Sequence, residues 1–230
     1  MEYPIAEAPL EVSPTRKQIL QHLLMQSYTP TGHGSSIKRI AKELNLSINT
    51  IRQHLTILEK EDLVFRKVER GKTGRPAIVY YLHDNAFETF PKVYVEFALD
   101  LIEEVESEYG TGSLVSILDK IGVKIANRII EEIERNYQVP DFKDLSTKER
   151  LEYICKIFDY YGKYPDLVEE EDSFAMLNYN CLVYKLTKAN MLVCRVDEAI
   201  LRELIGQPVK KELCLREGDR YCLYRIFKKP

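Results

Sequence analysis

Four of the chain's five cysteines, Cys181, Cys194, Cys214 and Cys222, fall within the last fifty residues at the spacing C-x12-C-x19-C-x7-C. Thiolates are nucleophiles, redox groups and soft metal ligands, so this grouping is the first chemistry to weigh. In a reducing cytosol such thiols read as metal ligands or redox groups rather than as a disulfide framework. A zinc ribbon would supply close C-x2-C pairs, and the chain has none. Widely separated thiolates can still converge, and thiolate ligation suits an iron-sulfur cluster, with zinc as the competing metal. Cys155 differs: it shares an apolar helical stripe with Leu151, Ile154 and Phe158 and reads as a small core residue.

The elements that must position these thiols form an expected α+β domain over residues 146–230. A capping box, Ser146 to Glu149, opens a helix that ends near Gly162. SFAMLNYN is strand-like and leads to Cys181. Cys194 stands just before the helix VDEAILRELIG, whose N-terminus favours a thiolate. KKELCLR and YCLYRIF form a hairpin around Glu217, Gly218 and Asp219, with Cys222 on the last strand. A three-residue loop at 217–219 sets Cys214 opposite Cys222 on one face, whereas a two-residue loop at 218–219 turns Cys214 away. The spacing leaves both registers open.

The formal net charge of -3 hides an asymmetry: residues 1–83 carry twelve Lys/Arg against eight Asp/Glu, and the remainder twenty-one against twenty-eight. The basic part is the candidate for nucleic acid. TRKQILQHLLMQ, SIKRIAKELN and INTIRQHLTILEKE each have the apolar rhythm of a helix with one buried face, and Ser47 can cap the third. LVFRKVER and AIVYYL alternate like strands around the turn GKTGRP. Helix, helix, helix and hairpin in this order predict a winged helix-turn-helix over residues 1–86. Ser47, Asn49, Thr50, Arg52, Gln53 and Thr56 on the third helix have the donors and acceptors to read base edges and phosphates. In the wing, Arg66, Lys67, Arg70, Lys72 and Arg75 flank one acid, Glu69, and Arg70, Lys72 and Arg75 are the expected phosphate or minor-groove contacts.

The runs SINTIRQHLTILEKEDLV and GKTGRPAIVYYL resemble the ArsR/DeoR-like winged helix of SufR-type regulators of iron-sulfur cluster assembly, and the Cys-rich tail is similar to theirs. The likeness spans most of residues 14–228. It departs at Asp62, where that family commonly has glycine. The resemblance implies a homodimeric transcription regulator in which Cys181, Cys194 and Cys222 ligate a cluster, expected to be 4Fe-4S, with Cys214 as the further candidate.

Residues 87–137 read as a helical dimerisation region, because palindromic operators need a two-fold protein. One apolar face runs from Phe90 to Val105 and a second from Leu114 to Ile133, interrupted by Gly-Thr-Gly at 110–112. Residues 137–146 read as a linker. No run of eighteen apolar residues could span a bilayer, and the N-terminal stretch lacks the basic-then-apolar order of a signal peptide, so a cytoplasmic protein with no membrane partner is expected. No enzyme motif of the P-loop, zinc-protease or serine-hydrolase type occurs, and all four histidines precede residue 84, so the expectation is a regulator and not an enzyme, with a structural-zinc or small-molecule-binding C-terminal domain, or an architectural DNA-binding protein, as the alternatives.

Overall fold

The computed structural model describes residues 12–27, 34–69 and 76–228. The chain is mixed α and β with two small antiparallel sheets, and its internal contacts divide it into two units, residues 1–96 and 97–230.

In the first unit, α1 (Pro14–Ser27) is followed by a two-residue strand β1 (Ser35–Ser36), α2 (Ile37–Glu43), α3 (Ile48–Lys60), and the strands β2 (Val64–Glu69) and β3 (Ala77–Leu82). The sheet order is β1-β3-β2. Ile19, Leu20 and Leu23 of α1, Ile40 of α2, and Ile51, Leu55 and Leu58 of α3 close a common core. Their spacing places one apolar stripe per helix against the others, which leaves the opposite face of α3 in water. Two side chains fix where the helices begin: Ser36 accepts from the Arg39 N–H, and Ser47 accepts from the Thr50 N–H at 3.0 Å. The buried His22 ties three elements together, contacting Ser35 Oγ through Nε2 at 2.8 Å and Glu43 through Nδ1 at 3.1 Å. Asp62, where the resembled family has glycine, adopts the left-handed φ of 52° and turns the chain from α3 into β2.

In the second unit, most of α4 (Tyr94–Tyr137) is broken only at Gly110, whose φ of 79° explains the interruption expected at 110–112. After α5 (Thr147–Tyr160) come β4 (Pro165–Glu169), β5 (Ser173–Asn178), α6 (Tyr184–Ala189), α7 (Cys194–Ile205), β6 (Lys210–Leu213) and β7 (Cys222–Phe227). The sheet order is β4-β5-β7-β6, all antiparallel. The Ser146 to Glu149 capping box is present at the start of α5.

Two stretches pack differently from their sequence reading. The expected linker 137–146 is folded into the core: Val139 and Phe142 are buried, and the Phe142 N–H donates to Glu134 Oε1 at 2.9 Å. Pro140 and its acids suggest a linker, but one aromatic side chain in a short helical turn anchors it. The C-terminal part of the second apolar stripe also packs inside the chain. Ala126, Ile129, Ile130 and Ile133 share a core with Leu151, Ile154, Leu201, Leu204 and Tyr224. Exposed on α4 are Tyr94, Phe97, Leu101, Tyr109, Ile117, Ile121 and Tyr137.

Candidate functional site: a four-thiol cluster

Register decides whether the two hairpin cysteines meet. β6 pairs with β7 at Lys211↔Tyr224 and then, after an irregularity at Glu212, at Leu213↔Leu223. Side chains alternate across a strand, so the bulge resets the inward face: Leu213 points out with Leu223, and Cys214 returns inward with Cys222. Both thiols are buried in the domain core. The loop between them is a helical turn, Leu215–Glu217, held by the Cys214 N–H donating to Asp219 Oδ2 at 2.8 Å. The Leu215 N–H donates to Cys222 Sγ at 3.4 Å. Of the two registers left open by the sequence, the structure has the one in which Cys214 and Cys222 share a face.

The other two thiols reach the same place from different elements. Cys194 is the first residue of α7 and packs against the core that holds Cys214 and Cys222, close enough for the Cys214 thiol to act on both neighbours. Cys181, in the segment between β5 and α6, lies within electrostatic range of both Cys194 and Cys222. Its sulfur contacts Thr187 Oγ1 at 3.9 Å, and the nearby Val183 N–H acts to lower its pKa. All four are free thiols. Among the described residues no group of three or more His, Cys, Asp or Glu stands at metal-ligand spacing, so the four converge without forming a closed ligand cage.

Burial dominates the electrostatics. It pushes the Cys194 thiol up to about 11 and the Cys222 thiol up to about 12, with the neighbouring Cys214 adding to both. The Cys181 thiol is raised for the same first reason. A helix N-terminus alone would have favoured a Cys194 thiolate, but desolvation outweighs it. Two cations oppose this trend, Lys163 at Cys181 and Lys211 at Cys194. Lys211 lowers the Cys194 value and is itself tied to Glu198 of α7 at 2.9 Å. Cys181, Cys194 and Cys222 are thus neutral, desolvated thiols that a bound cation would convert to thiolates with proton release.

Two features missed at the level of sequence bear on what the cluster could hold. Asn178 pairs with Cys222 across β5 and β7 and so shares its face, yet its buried Oδ1 has no partner among the described residues. An orphaned amide oxygen beside four thiols fits a site built to face a further group. Gly122 is the second. A Cβ there would come within 2.5 Å of Ala199 Cβ and 2.7 Å of the Val196 carbonyl, so glycine lets α4 and the first turns of α7 touch. Arg195, next to Cys194, bonds Asp119 of α4 at 2.8 Å across the same crossing. Neither residue carries a motif, because each acts through a partner distant in sequence. Cys155 stays outside the group and packs against the core from α5, its thiol pushed up to about 11 by burial.

The DNA-reading residues lie in the first unit. Ser47, Asn49, Arg52, Gln53 and Thr56 are exposed along one side of α3, and Thr50 is half-buried beside them. Arg52 Nη1 donates to Asn49 Oδ1 at 2.9 Å, which pre-orients both side chains outward. Thr56 instead returns its hydroxyl to the Arg52 carbonyl at 2.9 Å. On β2, Arg66 pairs with Glu59 at 3.3 Å, and the Lys67 ammonium stands over the Phe65 and Tyr81 rings. Arg70, Lys72 and Arg75 lie outside the described residues.

No family model matches the chain, and no curated protein matches it. The likeness to SufR-type regulators therefore rests on the two motifs and the cysteines alone. Among solved structures, the chain is similar to the phenol-responsive sensory domain of the transcription activator PoxR with phenol, at 11% identity and a TM-score of 0.41. That match covers 76% of this chain and 89% of that one. At this distance the likeness assigns no function. Among the described residues no helix is long and apolar enough to cross a membrane.

Proposed function

We propose that the chain is a cytoplasmic, DNA-binding transcription regulator whose second unit reports metal or redox status through the thiols of Cys181, Cys194, Cys214 and Cys222. The observation that carries this reading is that Cys214 and Cys222 share one buried face, that Cys194 packs against the same core, and that Cys181 lies within electrostatic range of Cys194 and Cys222. An incidental set of core cysteines has no reason to meet in this way. An iron-sulfur cluster held by these four residues is the first reading, because all the donors are thiols and none is a histidine. Such a cluster would supply the redox and oxygen sensitivity, while the chain's own part is to gather the thiols, exclude water and set Lys211 against their charge. A structural zinc is the second reading, favoured by the depth at which Cys214 and Cys222 are buried.

The DNA partner is inferred from the order of elements in residues 12–82, which is that of a winged helix-turn-helix, and from the polar face of α3. A homodimer is inferred from Phe97, Leu101, Tyr109, Ile117 and Ile121 standing exposed along α4. An enzymatic role has no support in the residues. Iron, sulfide and zinc assayed on anaerobically purified protein test the reading. Iron with equimolar sulfide and a brown colour is expected. Stoichiometric zinc without sulfide would transfer the reading to a structural metal, and protein with neither would end it.

A further inference from the structure

A cleft of about 340 Å³ opens beside the thiol group, entirely within the second unit. Its body is apolar, formed by Ile125 and Ile129 of α4, Phe158 of α5, Leu182, and Val196 and Ile200 of α7. A volume at the lower end of the ligand-pocket range, walled by carbon with a few polar groups, is the usual make-up of a small-molecule site. The polar groups fall into two sets. Lys163 and Asp197 neutralise one another at 2.7 Å, with the Lys163 side chain almost fully buried. Arg128 stands exposed on the lining and has no hydrogen bond or ion pair among the described residues. Glu132, one turn along α4, accepts the Tyr161 hydroxyl at 2.6 Å, and Arg128 acts on that hydroxyl only electrostatically. An open guanidinium fork above an apolar slot matches a carboxylate carried on a small hydrocarbon body.

The cleft and the thiols share their walls. Val183 lines the cleft while its N–H acts on the Cys181 thiol. Lys163 and Asp197 both act electrostatically on Cys181, and Val196 and Asp197 belong to the helical turn that begins at Cys194. We infer that this cleft binds a small monocarboxylic acid, with its carboxylate on Arg128 and its apolar body on Ile129, Phe158 and Ile200, and that occupancy shifts the Cys181 and Cys194 segments. The binding half stands apart from the metal reading; the coupling half deepens it, because it makes the thiol site responsive to a metabolite.

Calorimetry on the full chain, with phenylacetate as the acid and 2-phenylethanol as its neutral counterpart, tests the binding half. Saturable one-to-one binding of phenylacetate, at least tenfold tighter than the alcohol, is expected. Arg128→Gln should erase that difference, and Ile125→Trp, which fills the cleft from its half-exposed edge, should weaken both ligands. Equal affinity for acid and alcohol, no saturable binding, or an Arg128→Gln variant that keeps the preference would each overturn the site. For the coupling, saturating phenylacetate should change the alkylation rate of Cys181 or Cys194 in reduced, metal-free protein at least threefold; unchanged rates at both would overturn it. Because calorimetry reads the cleft with or without metal, a failure here is distinguishable from absence of iron or zinc.

Discussion

The face of α3 and the thiol group are built in opposite ways. The α3 face is local: within twelve residues, Ser47 starts the helix, Ile51, Leu55 and Leu58 bury one side, and Asn49, Arg52 and Gln53 are left outside by helical geometry. The thiol group is assembled from four segments spread over forty-two residues, and its geometry depends on a strand bulge, a helix crossing and a turn. A site of the first kind survives damage elsewhere in its domain. A site of the second kind fails when any one of its distant supports fails.

The sharpest way to break that contrast is through the cysteines. Serine at Cys181, Cys194, Cys214 or Cys222 should each abolish the bound metal or chromophore, measured by absorbance and metal content, whereas Cys155→Ser should retain it. Cys214 belongs with the other three because the bulge at Glu212 sets it on the Cys222 face.

The pH response distinguishes the two regions next. Free thiols with values near 9 in the unfolded chain rise to about 11 at Cys194 and about 12 at Cys222 in the folded one. The folded, metal-free state therefore holds its protons longer, and the associated stability is complete below pH 9 and lost as pH rises through 11 to 12. Chemical denaturation of the metal-free protein should show this loss, and Cys222→Ser should flatten it. The α3 face contributes nothing to that slope.

Gly122→Val tests the helix crossing. The added side chain meets α7 backbone, which cannot step aside, so a loss of about 1–3 kcal/mol is expected from overpacking. The same variant should speed alkylation of Cys194 at the start of α7. Unchanged stability would mean that the crossing does not hold the site. By contrast, Arg52→Ala or Gln53→Ala should leave thermal stability and metal content alone. Each should reduce discrimination between the cognate and a random duplex by about 1–3 kcal/mol, read by competition binding at fixed salt. Equal losses on both duplexes would move base reading off α3.

These differences also explain what the sequence revealed. The helices of the first unit, the Ser47 cap, the hairpin strands and the capping box at Ser146 were legible because each is signalled within a few residues. β4 and α6 went unread: β4 is a five-residue acidic edge strand and α6 a six-residue helix without a side-chain cap. The cysteines announced themselves by residue type, but their meeting did not. It depends on Glu212 being a bulge, and nothing in KKELCLR marks it as one. Phe142 in the supposed linker, the inward turn of Ile129 and Ile133 at the end of the second stripe, Asn178 beside Cys222 and the close approach at Gly122 escape for a shared reason: each acquires its role from a partner more than seven residues away.

The central claim is that Cys181, Cys194, Cys214 and Cys222 form one site. It is tested most directly by alkylating anaerobically purified protein and locating the modified cysteines by mass spectrometry, before and after a chelator. The account predicts that these four are protected together and become reactive together when the metal leaves, while Cys155 keeps the same reactivity throughout. Stepwise, independent modification of the four, or a chelator that changes none of them, would contradict it.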